Sequence, residues 1–111
     1  MEKMTVWKDR SNWIEIELKK DGTTLTSDEI DAITKVELKY KDVYYDSTTY
    51  TDAFDLVTGR ESGKLIIKPG LLDWEAGSDV VELIVYDAAN TNGVMWMQIG
   101  TQVRADAEVA V

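Results

Sequence analysis

Apolar and charged residues alternate at every step of Trp13-Ile14-Glu15-Ile16-Glu17-Leu18-Lys19, and again in Lys35-Val36-Glu37-Leu38-Lys39-Tyr40. Successive side chains of an extended chain point to opposite faces, so a period of two gathers Ile14, Ile16 and Leu18 on one side of a strand and the charges on the other. Val36, Leu38 and Tyr40 are gathered in the same way. Both segments are therefore expected as half-buried strands. They are also expected to pair antiparallel, with Glu15 and Glu17 opposite Lys35 and Lys39, each exposed pair contributing about 0.2–1 kcal/mol.

The rest of the chain continues in short β-prone pieces. Asp21-Gly22 marks a turn, and residues 24–33 read as a connection holding a helical turn, with Ser27 as its cap, Asp28 and Glu29 near its positive end, and Ile30 and Ile33 facing inward. Val43-Tyr44-Tyr45 runs into a loop rich in Ser, Thr and Asp, and Phe54-Asp55-Leu56-Val57 is another short strand. Lys64-Leu65-Ile66-Ile67-Lys68 has the unbroken apolar run of a buried strand, stopped by Pro69-Gly70. Residues 71–77 read as a crossing loop with room for one helical turn.

Val80-Val81-Glu82-Leu83-Ile84-Val85-Tyr86 is the most hydrophobic strand candidate, with Val81, Leu83 and Val85 as its core face. Asn92-Gly93 favours a type I′ turn, so residues 94–99 return as the second arm of a C-terminal hairpin. About seven strands with one or two helical turns fit a sandwich or a small barrel, and a two-sheet antiparallel sandwich is preferred. One domain over residues 1–111 is expected, with residues 1–12 and 105–111 as arms or partner-pairing ends.

The chain of 111 residues has 44% hydrophobic and 30% charged residues, enough apolar content for a packed core. Its 21 acids against 12 bases give a net charge of -9, which disfavours a nucleic-acid partner. It has no cysteine and no histidine, which removes disulfides, thiolate nucleophiles, imidazole metal ligation and histidine acid–base chemistry. No glycine-rich phosphate loop or nucleophile-elbow motif is present. No enzyme activity and no cofactor are expected. The apolar runs are too short for a signal peptide or a membrane span, so synthesis for the cytoplasm and no membrane role are expected.

Two acidic sets, Asp73 with Glu75 and Asp79, and Asp28 with Glu29 and Asp31, could in principle gather calcium, but their spacing fits solvated loop acids better. Aromatic residues carry the stronger functional signal. Trp7, Trp13, Tyr44, Tyr45, Tyr50 and Trp96 are candidate interaction residues, able to anchor a protein interface or stack on sugars. Trp74 and Trp96 are equally good candidates for core positions, Trp7 and Trp13 are expected nearer the surface, and core and surface remain open for the three tyrosines. In the hairpin, Val94, Trp96 and Gln98 alternate with Met95, Met97 and Ile99, so neither face is cleanly polar. Either a partner covers one face, or this is a central core strand.

The order of these features resembles small immunoglobulin-like modules of phage and prophage virion proteins, including baseplate and tail-fibre components. The likeness lies in Ile14-Glu15-Ile16-Glu17-Leu18 with Asp21-Gly22, the crossing over residues 25–33, Lys35 to Tyr40, Gly63 to Ile67, Glu75-Ala76-Gly77, Val81 to Asp87, and Asn92-Gly93. Leu25-Thr26-Ser27-Asp28 approximates the crossing such modules carry, while Gly77 is followed by Ser78-Asp79 where they place an aromatic. The resemblance implies an immunoglobulin-like sandwich that acts without catalysis, as a virion subunit contacting other proteins and associating with itself. A carbohydrate-binding module using the surface aromatics is the alternative.

Overall fold

The structure, a computed structural model, describes residues 2–105. These form strands β1 (Glu2–Trp7), β2 (Ile14–Glu17), β3 (Lys19–Lys20) and β4 (Thr23–Thr24), helix α1 (Ser27–Asp31), and strands β5 (Ile33–Tyr40) and β6 (Val43–Asp46). Strands β7 (Phe54–Asp55), β8 (Lys64–Ile67), β9 (Gly77–Asp87) and β10 (Val94–Arg104) follow. The main sheet has five strands in the order β1-β10-β9-β5-β6; a second has three, β2-β8-β7; and β3 pairs with β4 alone. The fold is all-β and sandwich-like, as the alternation implies.

Between the two larger sheets lies a single core. Leu18, Leu65 and Ile67 come from the β2–β8 side, and Val36, Leu38, Val81, Leu83 and Ile99 from the five-stranded side. Burying each such side chain stabilises the fold by about 1.5–3 kcal/mol. Trp74 is 1% exposed and closes one end of this core. Its ring stacks on Tyr40 at 4.6 Å and meets the edge of Tyr45 at 6.0 Å.

The expected pairing of the first two alternating segments is not what forms. β2 pairs with β8, so Glu15 meets Lys64 at 3.1 Å, while Lys39 reaches Glu82 at 3.8 Å and Lys35 reaches Glu37 at 3.8 Å. Alternation specifies which face of a strand is buried and not which strand lies beside it. Here β2 and β5 belong to opposing sheets and contribute to the same core from either side.

Residues 2–7, expected within an arm or a partner-pairing end, are instead a strand of the main sheet. β1 runs parallel to β10, from Glu2 opposite Ile99 to Trp7 opposite Arg104, and it is the one parallel pairing among the described residues. Met4 and Val6 are buried while Lys3 and Thr5 are exposed. Two apolar residues among charges give a weak period, and the strand is held by a neighbour far away in sequence. At the other end, the remainder of the expected C-terminal arm, residues 106–111, lies outside the described residues.

Helix α1 is capped one residue earlier than expected. Thr26 Oγ1 accepts from the Glu29 N–H at 3.2 Å, and the Glu29 carboxylate accepts from the Thr26 N–H at 3.1 Å. This reciprocal arrangement needs an acceptor three residues after the cap. Thr26 finds Glu29 there, whereas Ser27 would find Ile30, which has no acceptor and is buried.

The C-terminal hairpin forms as expected, but not through a two-residue type I′ turn at Asn92-Gly93. Of that pair only Gly93 has positive φ, +82°. The loop is organised by Asp87, whose carboxylate accepts from the Ala89 N–H at 3.0 Å and the Asn90 N–H at 2.8 Å. Backbone with two successive positive φ values, the type I′ signature, occurs at Asp21-Gly22 between β3 and β4, and at Lys41-Asp42 (φ 49° and 65°) between β5 and β6. The latter carries no glycine and so gave no turn signal in the sequence.

Candidate functional site

β10 is longer than the strand beside it. β1 covers it along residues 99–104 only, so residues 94–98 have β9 on one side and, among the described residues, no strand on the other. Five residues leave about 17 Å of open strand edge. The polar backbone groups pointing that way have no backbone partner among the described residues. Unpaired edges of this kind are templates for another strand.

A shift in the β9–β10 register between Met95 and Met97 leaves Trp96 as an extra, unpaired residue. Such a bulge bends the strand and re-aims its side chains. Met97 is opposite the buried Leu83, and Met97 and Trp96 pack together against the core from its open side, while Met95, opposite Ile84, faces outward and is exposed. On the side away from β9 this irregular segment has no strand beside it among the described residues, and Trp96 is half-buried.

Beneath the open edge lies a groove of about 420 Å³ between β1 and β10 on one wall and β2 on the other. Its apolar floor comes from Met4, Ile14, Ile16, Trp96, Met97 and Ile99. A second recess of about 340 Å³, lined by Leu25, Val94 and Met95, lies beside it; Lys19 and Trp96 line both. Charges rim the groove. Hydrogen bonds from the Trp13 indole and from Lys64 hold the Glu15 carboxyl below its ordinary range, and the Thr24 hydroxyl does the same for Glu17. Both acids therefore remain ionised well into mildly acidic solution.

The six aromatics singled out in the sequence do not come together. Trp96 is in the groove. Trp13 is 53% exposed, with its indole N–H donating to Glu15 at 3.0 Å and Lys68 lying 5.4 Å from its ring. Trp7, at the end of β1, is half-buried with Arg104 5.9 Å from its ring, and its backbone N–H donates to Asn12 Oδ1. Tyr44 and Tyr45 are successive residues of one strand and point to opposite faces. Tyr44 is exposed with Lys39 5.7 Å from its ring; Tyr45 packs on Trp74 and touches Tyr50, with centroids 5.3 Å apart. Burial raises the Tyr45 hydroxyl above its ordinary value. A flat stacking surface of three tyrosines is not assembled.

The outer face of the main sheet carries a second polar feature. Tyr86 donates its hydroxyl proton to Glu37, a residue buried at 8% exposure beside Lys35. Lys35 lies 4.2 Å from the Tyr86 ring and 3.8 Å from the Glu37 carboxylate. Gly93 abuts the same ring, since a Cβ there would fall 2.7 Å from Tyr86 and from Ile84. The close approach, together with its positive φ, is what requires glycine at this position.

One acid of each set is in an ion pair, Glu75 with Lys41 at 3.2 Å and Asp31 with Arg60 at 3.2 Å, and Glu29 is held in the cap of α1. Among the described residues no group of three or more acids is placed to hold a metal ion. Nor is any helix among them long and apolar enough to cross a membrane. Sequence reasoning named Trp96 but missed the edge itself and its partners Ile14, Ile16 and Met97. The available signal was the two-faced pattern of residues 94–99. Compared with protein-family models and with curated proteins, the chain matches none.

Proposed function

We propose that this protein is a noncatalytic interaction module that binds an extended polypeptide strand along residues 94–98 of β10. The observation that carries this is the coincidence of a strand edge that is unpaired among the described residues with a groove directly beneath it, apolar at its floor and charged at its rim. Backbone hydrogen bonds along an edge supply affinity, and alternate side chains dropping into pockets supply selectivity. Trp96 is the anchor, large, half-buried and central to both recesses. The resemblance to virion modules supports a place for this role in a phage or prophage particle, and capsid, portal or tail genes beside its own gene would support that setting.

The test is a titration with a panel of six-residue peptides of alternating valine and polar residues, followed by amide exchange at residues 94–98 and by indole fluorescence against a Trp96→Phe variant. Binding slows exchange at those amides and shifts emission only when Trp96 is present. Exchange that no peptide slows removes the proposal.

A further inference from the structure

We infer that the strand received by this edge is residues 106–111 of a second copy of the same chain, Asp106-Ala107-Glu108-Val109-Ala110-Val111. The inference rests on the strand-accepting role proposed above and names the occupant. Ala107, Val109 and Val111 recur at every second position, the pattern of a strand with one apolar face, and that face suits the Trp96 and Met97 floor. Extended, the segment spans about 20 Å, against about 17 Å of open edge.

Charge favours one end of the edge as well. The segment carries two acids, Asp106 and Glu108, and no base. Around the groove Glu15 is engaged by Lys64 and Trp13, Glu17 by Thr24, and Glu29 by the cap of α1, while Glu2, at the β1 end, makes no ion pair among the described residues. Lys3 and Lys20 likewise make no ion pair among the described residues. Lys3 lines the groove at the β1 end of the open edge and Lys20 lines the recess at the other end. Because Glu2 lies beside Lys3 at the β1 end, the acidic half of the incoming strand is best placed towards Lys20.

The donor has to be another molecule. The segment joins the chain at Ala105, one residue beyond Arg104 at the far end of β10, and the edge between there and residue 98 is already occupied by the six pairs of β1. Doubling back past them would use about 20 Å of chain, the whole length of the segment. Donor and acceptor thus sit at opposite ends of one strand. Contacts of this head-to-tail kind build rows or rings of copies rather than closed two-fold pairs.

The experiment compares the full chain with a Val109→Asp/Val111→Asp variant, which alters none of the described residues. Sedimentation velocity is run over a range of concentrations, with amide exchange read at residues 94–98. The full chain is expected to form larger species as concentration rises, with those amides slowed by about tenfold or more. The variant is expected to stay monomeric with fast exchange, and a synthetic peptide of residues 106–111 to restore protection to it. Association of the variant equal to that of the parent overturns the assignment. If protection at residues 94–98 still tracks concentration in that case, the edge accepts a strand from elsewhere and only the donor is wrong. A full chain that stays monomeric with unprotected amides also overturns it, and the peptide panel then decides independently whether the edge binds strands at all.

Discussion

The Tyr86 hydroxyl donates to the Glu37 carboxylate across the pairing of β5 and β9, on the sheet face opposite the core. The bond raises the Tyr86 pKa to about 12, with burial as the second cause. The folded state therefore holds this proton more tightly than the unfolded chain, whose tyrosines lose theirs near pH 10. The stabilisation is complete below about pH 10 and is lost as pH rises towards 12. Urea unfolding across that range should show a decline that is shallower in a Tyr86→Phe variant. At neutral pH the same variant leaves the Glu37 carboxylate short of a donor and should lose about 1–3 kcal/mol.

Thr26 and Glu29 satisfy each other's backbone N–H groups at the start of α1. Thr26→Ala should lower stability by about 1 kcal/mol, whereas Ser27→Ala, one residue on, should change it by less than about half as much. Equal losses in thermal unfolding would reinstate Ser27 as the cap.

Lys41 and Asp42 hold left-handed backbone at the β5–β6 turn without a glycine. Left-handed backbone costs a residue with a Cβ about 1–2 kcal/mol, somewhat less for Asp. Asp42→Gly should therefore raise stability by about 0.5–1 kcal/mol after allowing for the freer unfolded chain. The ion pair surrendered, Lys39 with Asp42 at 3.9 Å, is almost fully exposed on the Asp side and contributes little. A fall in the urea midpoint would contradict the turn geometry.

At Gly93 the expectation is opposite in sign. A methyl group would meet Ile84 and Tyr86 at 2.7 Å on a backbone already at φ +82°. Gly93→Ala should cost about 1–3 kcal/mol and broaden or shift the Tyr86 ring resonances in NMR spectra.

Much of the fold was legible residue by residue. Ile16, Leu18, Val36, Leu38, Val81 and Leu83 are buried where alternation put them, and the unbroken Leu65-Ile66-Ile67 run is buried on both faces of β8. What was not legible depends on neighbours remote in sequence. Nothing in Ile14-Glu15-Ile16 says whether β5 or β8 lies alongside, because each offers lysines to the same glutamates. The parallel seat of β1 and the five residues of β10 left uncovered among the described residues follow from the relative lengths and offset of two strands far apart in the chain. Trp96 could be named because its segment is apolar on both faces, but the bulge that turns it into the groove leaves no mark on the sequence.

Because β1 lies parallel to β10, Glu2 and Arg104 leave their shared ladder from opposite ends. Tension applied between those two points loads the six residue pairs along the strands, so they resist together in shear. The hairpin formed by β5 and β6, pulled from its open end, would instead unzip pair by pair. Where force rather than equilibrium sets survival, the unfolding rate governs it, and this ladder is the geometry that resists pull along its own strands.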